Sequence, residues 1–154
     1  MAALVEAHPE VRVLVPLHKN PAVREVVRRE LGGFSRVILT EPLSYPDFVS
    51  VMNRSLFIVS DSGGIQEEAS ALKKPVLILR DLSERPEAIA SGTGVLVGTD
   101  PEAILRESLR LLEDPGYRGT FLKRGMPFGD GRASERIRDI LLDYLDSLAG
   151  GIGG

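Results

Sequence analysis

Cysteine is absent from this chain of 154 residues, which excludes disulfides and thiolate metal sites and permits a reducing compartment without requiring one. Tryptophan is absent too, and aromatic residues make up only 5% of the chain, so the core has to be built from aliphatic side chains. His8 and His18 are the two histidines. No cluster of histidine and carboxylate with ligand spacing surrounds either, so no metal and no cofactor is expected. A net charge of −3 gives no general attraction to nucleic acid, and no Lys/Arg stripe interleaves with aromatics. No apolar run approaches the ~20 residues of a membrane helix, and no signal-peptide pattern opens the chain. The expectation is a soluble, cytoplasmic protein without nucleic-acid or membrane partners, long enough for one domain with a real core.

Strand and helix signals alternate along that length. Val11 to Leu17 is a valine-rich run of the kind buried on both faces of a sheet. Asn20-Pro21 offers an N-cap with proline at the first helical position. Val23, Val26, Val27 and Leu31 recur at helical spacing, and Gly32-Gly33 closes the helix. Val37 to Leu39 is the second strand. Ser44 to Asp47 has the spacing of a capping box and opens a helix with Phe48, Val51 and Met52 inward. Leu56 to Val59, Pro75 to Leu79 and Val95 to Val97 are the remaining strands. Asp100-Pro101-Glu102 starts a helix with Ile104, Leu105, Leu109 and Leu112 inward. A break at Asp114-Pro115-Gly116 precedes a short segment around Tyr117 to Lys123, and Met126 to Gly131 reads as a structured loop. Ile137, Ile140, Leu141, Tyr144, Leu145 and Leu148 form one face of a last helix. His8, beside Pro9, is expected at the surface. Residues 1–149 are read as one domain and 150–154 as a flexible glycine-rich tail.

Repeated β-α units with apolar strands predict an α/β fold, an open parallel sheet with helices on both faces. Such sheets bind ligands beyond the carboxyl ends of their strands. The most informative stretch falls there: Ser60-Asp61-Ser62-Gly63-Gly64-Ile65-Gln66-Glu67-Glu68, between the third strand and a helix through Ala69, Ala71 and Leu72. Glycines let a ligand approach the backbone closely, and the first amides of a helix lack intrahelical partners at its positive end. Together these make a seat for phosphate or diphosphate. A glycine pair after a strand equally serves a plain tight turn, and Ser60 and Asp61 are read as shaping it. The Asp-Ser-Gly-Gly string is shared with serine proteases, but its flanks are strand and helix rather than all-β, which argues against that chemistry. Ser-Gly-Gly is also not the G-x-G-x-x-G of nicotinamide-binding turns. His18 follows the first strand, Glu41 to Ser44 the second, and Arg80 to Glu87 the fourth, so four polar loops converge on one rim.

Taken together, the loops resemble the non-hydrolysing UDP-N-acetylglucosamine 2-epimerases. The matching strings are Val15-Pro16-Leu17-His18-Lys19-Asn20-Pro21, Glu41-Pro42 with Tyr45 and Phe48, the run from Ser60 to Glu68, Lys74-Pro75-Val76-Leu77, and Arg80-Asp81 with Glu84-Arg85-Pro86-Glu87. Gly98-Thr99-Asp100 and Pro127-Phe128-Gly129-Asp130-Gly131 follow in the right order. The resemblance implies a Rossmann-like fold, the second domain of a GT-B arrangement, with the family's first domain not represented in this chain.

The family interconverts UDP-N-acetylglucosamine and UDP-N-acetylmannosamine by removing the carbon-2 proton, releasing UDP from carbon 1 and re-adding it to a bound glycal. By resemblance, Ser62, Gly63 and Gly64 contact the diphosphate, Glu68 the ribose hydroxyls and Phe48 the uracil. His18 and Arg85 line the cleft near phosphates and sugar, His18 being the one catalytic candidate. Leu43 stands where relatives often offer glutamine to the base. The implied partners are UDP-N-acetylglucosamine, UDP and the amino-terminal domain of the same enzyme, working as a homodimer in cell-envelope polysaccharide synthesis. Without that domain, this chain alone is expected to be inactive. The alternatives are the UDP-sugar-binding half of a GT-B glycosyltransferase or hydrolysing epimerase, and a stand-alone, non-catalytic nucleotide-sugar binding module. Because the last helix of GT-B proteins reaches back to the first domain, its apolar face is expected to be uncovered here, and either to self-associate or to fold back.

Overall fold

The computed structural model describes residues 1–123 and 125–150. Its elements are α1 (Ala2–Ala7), β1 (Val13–Pro16), α2 (Pro21–Leu31), β2 (Val37–Thr40), α3 (Tyr45–Arg54), β3 (Ile58–Ser60), α4 (Gly63–Ala71), β4 (Val76–Ile78), α5 (Pro86–Ala90), β5 (Gly94–Leu96), α6 (Pro101–Glu113), α7 (Pro115–Leu122) and α8 (Ala133–Gly150). Side-chain caps set where four helices begin. Asn20 accepts from the Ala22 amide at 3.0 Å, and Ser44 from the Asp47 amide at 3.4 Å. Asp100 accepts from Ala103 at 3.1 Å, and Asp114 from Tyr117 at 2.8 Å. Each satisfies an amide that the first helical turn would otherwise leave unpaired.

All strand pairs are parallel, but the sheet is split. β1 pairs with β2 (Val13↔Val37 through Pro16↔Thr40), while β4 sits between β3 and β5. No backbone hydrogen bond joins β1 to β3 among the described residues. β1 ends on Pro16, which has no amide to donate, and β3 is only three residues long, so little ladder is available to close the gap.

The three-stranded sheet is covered on both faces, as strand alternation requires. On one face Leu77, Val59, Val95 and Val97 meet Ile104 and Leu111 of α6 and Tyr117 and Phe121 of α7. On the other, Ile58, Val76 and Ile78 meet Ala69 of α4. Val76, Leu77 and Ile78 are all fully buried, and each aliphatic side chain so buried contributes about 1.5–3 kcal/mol. The β1–β2 pair is less covered: Leu14 and Ile38, partners in register, stay 37% and 43% exposed.

Several elements differ from the sequence-based expectation. α1 was not predicted, yet its Leu4 and Val5 are buried, and it packs on α6. His8 is at the surface only in part. Its side chain is 19% exposed and lies between Glu10 (3.2 Å) and Glu113 (3.3 Å). On α2, Val23 and Val26 remain exposed, while Val27 and Leu31 are half-buried. On α6 the buried line runs through Ser108 and Leu111 rather than Leu105 and Leu109, which line an outer groove. α8 does not fold back onto the sheet; Ile137, Ile140, Leu141, Tyr144, Leu145 and Leu148 remain 48–67% exposed. Gly150, assigned to the tail, is the last residue of α8; residues 151–154 lie outside the described residues. No helix among the described residues is long and apolar enough to cross a membrane.

Candidate functional site

Unlike α2, α3, α6 and α7, helix α4 does not close its own first turn. Its N-cap, Ser62, has extended backbone (φ −79°, ψ 129°) and makes no side-chain cap. The amides of Gly63, Gly64 and Ile65 have no backbone partner, and the first return bond is Gln66 N–H to the Ser62 carbonyl at 3.4 Å. Ser60 shapes the approach by accepting the Ser62 amide at 3.1 Å. Neither glycine has positive φ. A Cβ at Gly63 would meet Glu84 Oε2 at 3.4 Å and the Arg85 guanidinium carbon at 3.8 Å. The glycines are therefore not demanded by backbone conformation or by protein packing. What their missing Cβ atoms leave is open access to unpaired donors at the positive end of a helix.

The carboxylates and the arginine around this turn are already organised. Glu68 is half-buried, with Oε2 wholly buried and without a partner, a lone acceptor of the kind native folds seldom leave unmet. Glu67, on the adjacent side of α4, takes the Arg85 Nε–H. Arg85 pairs with neither Glu84 nor Glu87 through a carboxylate; its Nη1 donates to the Glu84 carbonyl at 3.1 Å, and the Glu84 carboxylate goes to Arg80. Two residues absent from the sequence-based site complete the arrangement. Ser83 Oγ accepts the Arg85 amide at 2.9 Å and donates to Gln66 Oε1 at 2.8 Å. Gln66 is fully buried. Behind it, Ser70 donates to the Gln66 carbonyl at 2.8 Å and shares a bond with Thr93 at 2.7 Å, tying α4 to the segment before β5. No spacing rule links positions 66 and 83; only the tertiary fold brings them together.

The other predicted residues belong to a second cluster. His18 is exposed, and its Nδ1 accepts the Asn20 amide at 3.1 Å, which places its remaining proton on Nε2. Arg24 of α2 binds Glu41 through both carboxylate oxygens, fastening the loop after β2 to the helix after β1. The bond to Arg24 holds the Glu41 carboxyl below its ordinary pKa. Phe48 is half-buried in the first turn of α3, and Leu43 is half-buried just ahead of it. Among the described residues, no hydrogen bond or ion pair joins this cluster to α4 or the Arg85 loop. The fold therefore sets Arg85 beside Gly63 in the turn that Ser62 and Gly64 share, leaves Glu68 one turn further along α4, and places His18 and Phe48 on the segments after β1 and β2. No group of three or more metal-ligating side chains occurs among the described residues.

A parallel α/β sheet with helices on both faces and an open helix N-terminus beyond β3 places the chain in the Rossmann-like class of folds. The chain matches the family model described as UDP-N-acetylglucosamine 2-epimerase over residues 1–142, and it belongs to that family. It is 47% identical to the UDP-N-acetylglucosamine 2-epimerase of Escherichia coli O157:H7 over 148 residues, 96% of this chain and 39% of the relative. The Yersinia pestis protein of the same name is 46% identical over the same shares. Among solved structures, Neisseria meningitidis UDP-GlcNAc 2-epimerase bound to UDP-GlcNAc superposes with a TM-score of 0.82, at 44% identity, over 92% of this chain and 39% of that one. The S. aureus MnaA–UDP co-structure superposes at 0.87, with 40% identity, over 94% and 40%. The chain thus spans about two fifths of the length of these relatives.

Proposed function

We propose that this chain holds the uridine diphosphate of UDP-N-acetylglucosamine within an enzyme that interconverts that sugar nucleotide and UDP-N-acetylmannosamine. The observation that carries the reading is the unfilled first turn of α4: three amides without backbone partners, beside the Arg85 guanidinium, with the unpartnered Glu68 oxygen on the same helix. Two structurally similar relatives were solved with UDP-GlcNAc or UDP bound, which supports a nucleotide rather than a simple anion.

In this assignment the diphosphate oxygens accept from the Gly63, Gly64 and Ile65 amides and from Ser62 Oγ, Glu68 accepts from ribose hydroxyls, and the Phe48 ring lies beside uracil. His18 contributes a contact on the sugar side through Nε2–H. The reaction removes the carbon-2 proton of the sugar and breaks the bond between carbon 1 and the diphosphate oxygen, whose electron pair leaves with UDP. Charge develops on the β-phosphate, where fixed amides, a helix N-terminus and an arginine stabilise it without reorganising. UDP then re-adds to the glycal after reprotonation on the opposite face. The groups that move the carbon-2 proton belong, in this proposal, to the part of the enzyme that the longer relatives carry and this chain does not.

Calorimetric titration with UDP and uridine, on wild type and Gly63→Ala, tests the assignment. The nearest atom outside the turn's own backbone would be Glu84 Oε2 at 3.4 Å, an ordinary contact, and alanine is the better helix former, so stability should hold or rise by roughly 0.5–1 kcal/mol. UDP affinity should nevertheless fall at least about tenfold, the equivalent of about 1.4 kcal/mol, with uridine binding unchanged. Equal UDP affinity in the two proteins would refute a diphosphate seat at α4.

A further inference from the structure

We infer that Ser83 and Gln66 are positioning residues that hold the Arg85 guanidinium in register with the first turn of α4, so that arginine and amides act on one diphosphate as a pre-assembled unit. The inference rests on the reading of this turn as a diphosphate seat and goes beyond it by assigning two residues to which no role has been given.

Arg85 sits in the loop between β4 and the five-residue α5, a segment with little structure of its own. Left to itself, such a loop would let a long side chain sample many rotamers, and each ligand would have to order it at a cost in affinity. Two bonds to α4 and one within the loop restrict that freedom. Ser83 Oγ accepts a hydrogen bond from the Arg85 amide at 2.9 Å and donates one to Gln66 Oε1 at 2.8 Å. Glu67, the next residue of α4, takes the Arg85 Nε–H. Gln66 is fully buried and its helix is fastened from behind by the Ser70–Thr93 bond, so the anchor does not move with solvent. The result is that the Arg85 Nη2 lies 3.9 Å from the Cβ position of Gly63. The serine links backbone of the loop to side chain of the helix, and Glu67 holds the guanidinium, so the two act on different parts of Arg85.

The test uses the full chain as wild type, Ser83→Ala, Ser83→Thr and Gln66→Met, with UDP and uridine as probes. A positioning role predicts that Ser83→Ala weakens UDP about tenfold, as expected when a buried hydrogen-bond partner is lost, and leaves uridine unchanged. Ser83→Thr, which keeps the hydroxyl, should restore the wild-type ratio, and Gln66→Met should reproduce the loss. A purely structural role would lower stability and weaken both ligands together, and that outcome, or no change in either, overturns the inference. A second measurement is independent of ligand: the Arg85 Nε–H signal in proton–nitrogen NMR of the free protein. It should be sharp and slow to exchange in wild type and Ser83→Thr, and broadened in Ser83→Ala and Gln66→Met. If wild type binds neither UDP nor uridine, the diphosphate reading fails by itself, and an Arg85 signal unchanged by both substitutions would separately refute the restraint.

Discussion

Lys73 carries a left-handed backbone, with φ of 54°, immediately after α4. The cause is the way the helix ends. The Lys74 amide bonds to the Ala69 carbonyl at 2.8 Å and the Lys73 amide to the Ser70 carbonyl at 3.1 Å, the paired bonds of a Schellman motif, which needs its C′ residue in the left-handed region. A side chain with Cβ pays about 1–2 kcal/mol there, whereas glycine pays nothing but has more freedom to lose on folding. Lys73→Gly should therefore raise stability by roughly 0.5–1 kcal/mol, read as a higher urea midpoint at constant slope. A lower midpoint would show that the lysine side chain contributes more than its backbone costs. Glu41 offers a pH-dependent test on the other cluster. Its carboxyl is held below the ordinary value by the bond to Arg24, with a smaller charge effect from Arg28. A depressed folded-state pKa means that the pair contributes fully above the unfolded value, about 4.3, and that the contribution is lost as pH falls through the lower folded value. Carboxyl-carbon NMR should place the Glu41 titration below that of an unpaired glutamate, and Arg24→Gln should move it back up. An unmoved midpoint would mean that the two side chains do not pair in solution.

Elements with a local physical signature were legible before the fold was known. Asn20-Pro21, Ser44 through Asp47 and Asp100-Pro101 each put an oxygen acceptor ahead of a proline-containing first turn, and each marks the start of a helix; Asp114-Pro115, read only as a break, has the same pattern and starts α7. The glycine turn of α4 was legible for a related reason, because unpaired amides are a property of every helix start and the adjacent glycines leave these ones open to a ligand. What escaped was whatever depends on contacts distant in sequence. α1 begins at Met1 without a side-chain cap and spans six residues, so nothing local announces it; α6 supplies the surface that buries Leu4 and Val5. On α6 itself, the leucines that satisfy helical periodicity include those facing outward, while Ser108, polar by type, is fully buried. The split between β1–β2 and β3–β4–β5 depends on whether two short edges meet, which strand hydrophobicity does not encode. The site divides along the same line. Gly63, Gly64 and Arg85 could be proposed from strings, whereas the Ser83–Gln66 bond and the Glu67–Arg85 pair require the loop after β4 to lie over α4.

At the scale of the whole molecule, the accessible surface is 9926 Å², whereas a compact monomer of this mass exposes about 7,600 Å². The exposed apolar residues show where part of the excess lies. The face of α8 carries Ile137, Ile140, Leu141, Tyr144, Leu145 and Leu148, each about half exposed or more, and the Leu14–Ile38 strand face adds to it. An apolar surface that is open in the folded state contributes little to folding, because it remains in water in both states. An isolated helix of 18 residues is itself only marginally stable without a packed face. Removal of residues 133–154 should therefore change the stability of the remaining domain by less than about 1 kcal/mol, with an unchanged urea midpoint. Amide exchange in the full chain should agree, with α8 protected far less than β4, whose Val76, Leu77 and Ile78 lie at the centre of both core clusters. A loss of several kcal/mol on truncation, or exchange in α8 as slow as in β4, would mean that the helix closes over apolar surface in solution, by folding back or by pairing with a second copy. Sedimentation across a range of concentrations separates those two: pairing strengthens with concentration and vanishes in the truncated chain, whereas folding back gives a concentration-independent monomer.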